Sequence, residues 1–361
     1  MPAVLDLNTA LRLRVLPRTR RMHPIIRALA LLAATGLVAS CDSPPSPAGA
    51  TEAPADAVPK AVFIIVDGIP ADVVERAATP NIDALAAEGG YTRAWLGGEA
   101  GGPSESPTIS AVGYQTLITG TWADKHNVYD NDVAAPDYAY WDLFRIAKHH
   151  DPALTTALFS TWQDNRTKLV GDGLEAAGGA KIDYAYDGLE LDTTRFPHDG
   201  GDPELDEFIA DIDSAVAAEA ARYIAAEGPQ LSWVYLQYTD DVAHRYGDGP
   251  EFDAAVATMD GYVGAIRDAV RERRAAGAED WLILVTTDHG RDAVDGREHG
   301  EQSERERTIW IATDSRRLNE RFASRPALVD VLPSIAAHLG LDIPAEVKRN
   351  LDGASFIDPR M

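Results

Sequence analysis

Ala61 to Val66 reads Ala-Val-Phe-Ile-Ile-Val and stops at Asp67-Gly68. An unbroken run of β-branched and aromatic residues suits a strand covered on both faces, the condition met inside a parallel sheet. Thr155 to Ser160, Leu231 to Leu236 and Trp281 to Thr286 repeat the pattern, and Arg307 to Ala312 gives a shorter strand. Between them lie helical patterns at Thr79 to Gly89, Leu205 to Ala226, Phe252 to Arg274 and Ala327 to Leu339. Strand alternating with helix predicts an α/β fold: one doubly wound, mostly parallel sheet with helices on both faces. In the first helix Thr79 is expected as cap, Pro80 in the first turn and Gly89 as stop. Gly171 to Gly201 is Gly- and Asp-rich with weak patterning, and is expected as a cap or surface excursion on a single domain spanning 61–361.

The segment before this domain reads differently. Residues 1–40 are expected to be a lipoprotein signal peptide. Arg18, Arg20, Arg21 and Arg27 precede an apolar run, Ala28 to Ser40, that is too short to span a bilayer. The run meets Leu-Val-Ala-Ser-Cys at Cys41, which resembles a lipobox, and Met22 is an alternative start because a complete signal follows it. Cys41 would carry the lipid; as the single cysteine, it has no intrachain disulfide partner. Residues 41–60 hold five prolines and no apolar periodicity, so they read as a disordered tether. These features predict export, with a membrane anchor facing the periplasm, and Asp42 resembles an inner-membrane retention signal. The formal charge of -24 argues against a nucleic-acid partner, yet leaves room for local capture of metal cations.

The chemistry gathers where strands end. Asp67 follows the first strand, Asp240 and His244 follow the third, Asp288 and His289 the fourth, and His299 lies in the loop beyond. In open α/β sheets ligands collect beyond the carboxyl ends of strands. Mixed carboxylate and imidazole sets suit zinc, or manganese as a second choice, and two sets fit a two-metal site. The four-residue spacing from Asp240 to His244 lets both converge on one ion from one helical face, although Asp241 competes with Asp240. Ser106 to Gly120 supplies a Ser/Thr/Pro-rich turn running into a helix that closes at Gly120. At such a helix start, free amides and the dipole favour a phosphate, and Ser110 stands there as a nucleophile or as an ordinary cap.

From Ala61 to the C-terminus the chain resembles the alkaline phosphatase superfamily, in particular its nucleotide pyrophosphatase/phosphodiesterase (type I phosphodiesterase) branch. The resemblance rests on ordered motifs. They are Val-Asp-Gly at Asp67, TPNIDALAAEG at Thr79 to Gly89, LITG at Leu117 to Gly120, and D-x-x-x-H-x-x-G from Asp240 to Gly247. TDHG at Asp288, HGEQSERE at His299 and the last helix, VDVLPSIAAHLGLDIP, complete the set. In that family the nucleophile lies ten residues before the helix-closing glycine, which implies Ser110, with Thr108 as rival. One metal would then be held by Asp67, Ser110, Asp288 and His289, and the other by Asp240, His244 and His299. The implied activity is two-metal-dependent hydrolysis of phosphoesters through a phosphoserine intermediate.

Departures bear on the substrate. The phosphodiesterases usually carry Thr as nucleophile with Asn three residues later to bind a phosphate oxygen, where this chain has Ser110 and Gly113. Ser-x-Val-Gly is closer to cofactor-independent phosphoglycerate mutases, and the Pro and Arg that sulfatases need after their modified residue are missing. Asn131, Asn165, Arg166 and Arg291 are the candidates for binding substrate oxygens. A phosphorylated small molecule or envelope component is expected as substrate, diesters and pyrophosphates ahead of monoesters. Transfer of a phospho-group to an envelope lipid or glycan, and an inactive binding lipoprotein, are the alternatives.

Overall fold

The computed structural model describes residues 57–198 and 208–360, so the signal segment, Cys41 and most of the tether lie outside the described residues. Seven strands form one sheet: β1 (Val58–Val66), β2 (Gly90–Trp95), β3 (Thr156–Ser160), β4 (Tyr184–Tyr186), β5 (Leu231–Leu236), β6 (Glu279–Thr286) and β7 (Thr308–Thr313). Their order is β2-β7-β6-β1-β5-β3-β4, with β7 antiparallel to both neighbours and the other pairings parallel. β1 lies at the centre, with Ala61 beside both Leu231 and Leu282.

The alternation along β1 explains the two layers. Ala61, Phe63 and Ile65 pack with the helices Ser110–Thr119 and Val331–Leu339, while Val62, Ile64 and Val66 pack with Phe208–Glu227 and Pro250–Ala276. Every residue of β1 from Ala61 to Val66 is buried, as a strand covered on both faces requires.

One local reading changes and a second gains detail. Thr79 precedes the Pro80–Glu88 helix but makes no side-chain cap. The buried Asp260, from the Pro250–Ala276 helix, caps it instead: Oδ1 accepts from the Ile82 amide at 2.9 Å and Oδ2 from the Asn81 amide at 3.1 Å. A carboxylate supplied by another helix satisfies the first free amides and the positive helix end together. Asp260→Ala is expected to cost about 1–2 kcal/mol, read as a lower urea midpoint with unchanged slope.

The second is 171–201, expected as a cap or surface excursion, whose described part runs along the edge of the sheet. It supplies β4, the outermost strand, paired with β3 from Ala157↔Tyr184 to Phe159↔Tyr186. Lys181 pins the approach to that strand. Its buried ammonium meets Asp142 Oδ2 at 2.8 Å and also donates to the carbonyls of Val170 and Ala177.

Candidate active site

The three adjacent central strands, β6, β1 and β5, deliver Asp288 with His289, Asp67, and the Tyr238–Tyr246 helix that carries Asp240 and His244. The Asp67-Gly68 turn has a steric reason. Gly68 has φ +64°, and a Cβ there would sit 2.5 Å from Asp240 Oδ1 and 2.8 Å from Arg291 Nη2. Only glycine tolerates both the left-handed backbone and that approach.

Ser110 is the first residue of its helix and Ile109 is the cap, so the ordinary capping role does not apply to it. Its Oγ stands 3.2 Å from His289 Nε2, with the residue 7% exposed. Thr108 is engaged elsewhere: its hydroxyl donates to Glu301 O at 2.7 Å and accepts from the Gly300 amide at 3.0 Å. Its carbonyl accepts from His299 Nδ1 at 2.9 Å, which turns Nε2 of that ring inward. His289 is oriented likewise, with Nδ1 donating to Gly290 O at 2.9 Å.

The remaining contacts converge. His289 Nε2 lies 3.3 Å from both Asp67 Oδ1 and Asp288 Oδ2. Both carboxylate oxygens are buried without a hydrogen-bond partner. His244 Nε2 lies 3.0 Å from His299 Nε2 and 3.2 Å from Asp240 Oδ2. Asp241 turns to Gln237 Nε2 at 3.2 Å, which leaves Asp240 as the carboxylate that faces the two imidazoles.

Such a cluster demands positive charge. Burial works against protonation of His289, but the Asp288, Asp67 and Asp240 carboxylates outweigh it and push the ring up to about 9. Burial and the neighbouring His289 drive His299 down to about 3. Asp288 is pushed up by burial and by Asp67. Unpartnered buried acceptors aimed at inward-facing imidazole nitrogens fit divalent cations. Among the described residues, two overlapping groups have ligand atoms close enough to hold an ion: Asp67, Asp288 and His289, and Asp240, His289 and His299.

The outer oxygens of the carboxylates are held. Asp67 Oδ2 accepts from Tyr235 Oη at 2.6 Å and from Tyr114 Oη, while Asp288 Oδ1 accepts from the Gly68 amide at 3.1 Å. The tyrosines were not among the sequence candidates. The available signal was Tyr114 on the inward face of the Ser110 helix, since a buried phenol needs a polar partner.

Of the substrate-binding candidates, the structure brings one to the mouth of the site. Asn131 is exposed, and its Oδ1 accepts from the Ala111 amide at 3.0 Å, beside Ser110. That bond takes one of the amides expected to be free at the helix start. Asn165 is fully buried and donates to Ser160 Oγ at 3.0 Å, so it braces the end of β3. Arg166 is committed to Asp187 through a two-pronged pair at 2.6 and 3.1 Å. Arg291 is buried beneath Asp240 rather than at the mouth. Gly113 likewise faces inward, because a Cβ there would lie 2.6 Å from the Asp288 carbonyl oxygen.

Residues 61–347 match the family model described as type I phosphodiesterase / nucleotide pyrophosphatase. The human ectonucleotide pyrophosphatase/phosphodiesterase family member 7 is 24% identical over 247 residues, covering 66% of this chain and 49% of the relative. The chain thus spans about half the length of that curated relative. Among solved structures, a 2-O GAG sulfatase matches with TM-score 0.57 and 13% identity, covering 82% of this chain and 73% of the other. The phosphonate monoester hydrolase of Agrobacterium radiobacter matches with TM-score 0.50 and 15% identity, over 82% and 75%. These likenesses agree with the doubly wound sheet described above.

Proposed function

Because the chain belongs to the type I phosphodiesterase / nucleotide pyrophosphatase family, we propose that it hydrolyses phosphoesters through a phosphoserine at Ser110. The observation that carries this reading is the convergence of Ser110 Oγ, His289 Nε2 and the unpartnered oxygens of Asp67 and Asp288 beyond the central strands. Asp67, Ser110, Asp288 and His289 would hold one divalent cation, and Asp240, His244 and His299 the other, zinc being first choice by donor type and manganese second. Bound there, the pair would lower the pKa of the serine hydroxyl and neutralise charge on the phosphoryl and leaving oxygens.

Within that site Ser110 Oγ releases its proton to solvent and attacks phosphorus, and a bond to phosphorus forms as the ester or anhydride bond opposite it breaks. The leaving oxygen departs with the electron pair. Water then attacks the phosphoserine, its oxygen stays on phosphate, and Ser110 recovers its proton. Asn131, placed by the Ala111 amide, presents the other end of its side-chain amide to a non-bridging oxygen. Arg166, Asn165 and Arg291 have no part in that contact.

Phosphodiester or pyrophosphate substrates are favoured over monoesters by the family match. Within the cell we place the enzyme outside the cytoplasm, held by a lipid on Cys41 and a Pro-rich tether, with an envelope phosphoester in reach. Transfer of the phospho-group to an envelope alcohol differs only in the acceptor that replaces water.

Rates on a nitrophenyl phosphodiester and the matching monoester, measured on protein of known metal content, test the reading. Diester cleavage exceeding monoester cleavage, lost on chelation and restored by zinc or manganese, is expected. Inert protein that retains no metal would favour a binding role instead.

A further inference from the structure

The two ligand sets differ in charge, and one buried residue, Arg291, widens the difference. The outer oxygens of Asp67 and Asp288 are held by neutral donors: two tyrosine hydroxyls and the Gly68 amide. Asp240 is instead bonded through Oδ1 to the guanidinium of Arg291. Arg291 is 0% exposed, and its position does not depend on that carboxylate alone. It also donates to Gly68 O at 3.2 Å, Arg297 O at 2.7 Å and Asp240 O at 3.0 Å. Three backbone acceptors therefore keep the cation in place, and arginine does not lose its proton in proteins. Asp67 and Asp288 give the first set two carboxylates whose outer oxygens meet no fixed cation. The second set has one carboxylate, already offset by a fixed positive charge, and two imidazoles.

We propose that Arg291 is a positioning residue that makes the Asp240, His244 and His299 site the weaker of two cation sites, so that the protein loads stepwise and works only when the second cation is plentiful. The proposal rests on the two-cation reading above. Two effects compete at Arg291. Holding Asp240 in one orientation favours binding, and outer-sphere partners of this kind typically contribute about 10–100-fold in metal affinity. A buried unit charge a few ångströms from a divalent ion opposes binding, and Coulomb's law at the effective dielectric of a protein site makes that the larger effect.

Equilibrium dialysis of the cation-stripped protein against Mn2+ alone tests this without any measurement of turnover. Wild type is expected to bind two ions in classes at least about tenfold apart. Asp288→Asn should remove the tight class and His244→Ala the weak one. Arg291→Met should tighten the weak class toward the strong, whereas Arg291→Lys, which keeps the charge, should leave the gap open. A merely structural role for Arg291 predicts the reverse: both substitutions loosen the weak class. Two equal classes in wild type, a weak class removed by Asp288→Asn, or a weak class unchanged or loosened by Arg291→Met would each overturn the proposal. Binding of fewer than two ions by wild type would overturn the two-cation reading itself. If Arg291→Met does not fold, Arg291→Gln, which removes the charge and keeps hydrogen-bond donors, takes its place, and a weak class unchanged or loosened by it would overturn the proposal in the same way.

Discussion

Ser110→Ala is expected to lower phosphodiester turnover by at least about three orders of magnitude while leaving the fold and the bound cations in place. The geometry separates the two outcomes. Ser110 is the first residue of its helix and contributes no side-chain cap, so alanine removes no helix-stabilising bond. Its Oγ faces His289 Nε2, and the His289 ring is fixed independently through Nδ1 to Gly290 O. Only the attacking oxygen is lost. Thr108→Ala provides the contrast, because the Thr108 hydroxyl ties the Gly300–Glu301 turn beside His299 and should lose activity only in part. Mass spectrometry of acid-quenched wild type should find phosphate on Ser110. Ser110→Ala protein that keeps a tenth or more of the wild-type rate would remove Ser110 from the mechanism.

The strands that position this site were legible because each is nearly all apolar and ends in a polar residue that cannot belong to the core. That is true of Ala61 to Val66 before Asp67 and of Trp281 to Thr286 before Asp288. The outer strands were not legible. Gly90–Trp95 is only partly buried and begins on glycine, and Tyr184–Tyr186 is three residues long, so neither shows the continuous run that marks a central strand. The Tyr238–Tyr246 helix was legible only through the four-residue spacing of Asp240 and His244. Its residues are chosen for ligation and for contact with β1, as when Thr239 Oγ1 donates to Asp67 O at 2.6 Å, and so the apolar period is weak.

Contacts between distant segments were the least visible. Asp213, from the Phe208–Glu227 helix, accepts the Gln237 amide at 3.0 Å and the Tyr238 amide at 2.9 Å, and so caps the helix of Asp240 and His244 in trans. Nothing in the spacing of Asp213 and Tyr238 announces this. The side-chain commitments of Arg166 and Arg291 were hidden in the same way. An arginine near a motif reads as an anion binder, whereas its partner carboxylate is fixed only when the chain folds.

Gly113→Asn would restore the residue that the phosphodiesterase resemblance leads one to expect, and it is expected to abolish activity rather than improve diester binding. The reason lies in which way the helix turns. Position 113 lies on the face packed against the end of β6, where a Cβ would stand 2.6 Å from Asp288 O and 2.9 Å from Asp288 Cβ. Backbone contacts that short must be relieved by movement, and Asp288 has little freedom to move. β6 is paired with β1 up to Ile65↔Thr286, the Gly68 amide holds Asp288 Oδ1 at 3.1 Å, and Gly290 already presses on Arg305, where a Cβ would be 2.1 Å from the carbonyl oxygen. The strain would therefore displace the carboxylate and imidazole of Asp288 and His289 from Asp67. Overpacking of this kind costs about 1–3 kcal/mol of stability. Turnover should fall to the level of Ser110→Ala, and the tight cation should be lost with it, which Ser110→Ala retains. Gly113→Ala, with the same Cβ and no amide, should show most of both losses. An active Gly113→Asn enzyme with a raised diester-to-monoester ratio would mean that the helix can rotate its face toward the substrate. Position 113 would then be a specificity determinant after all, instead of the close contact that lets the nucleophile helix seat against the cation ligands.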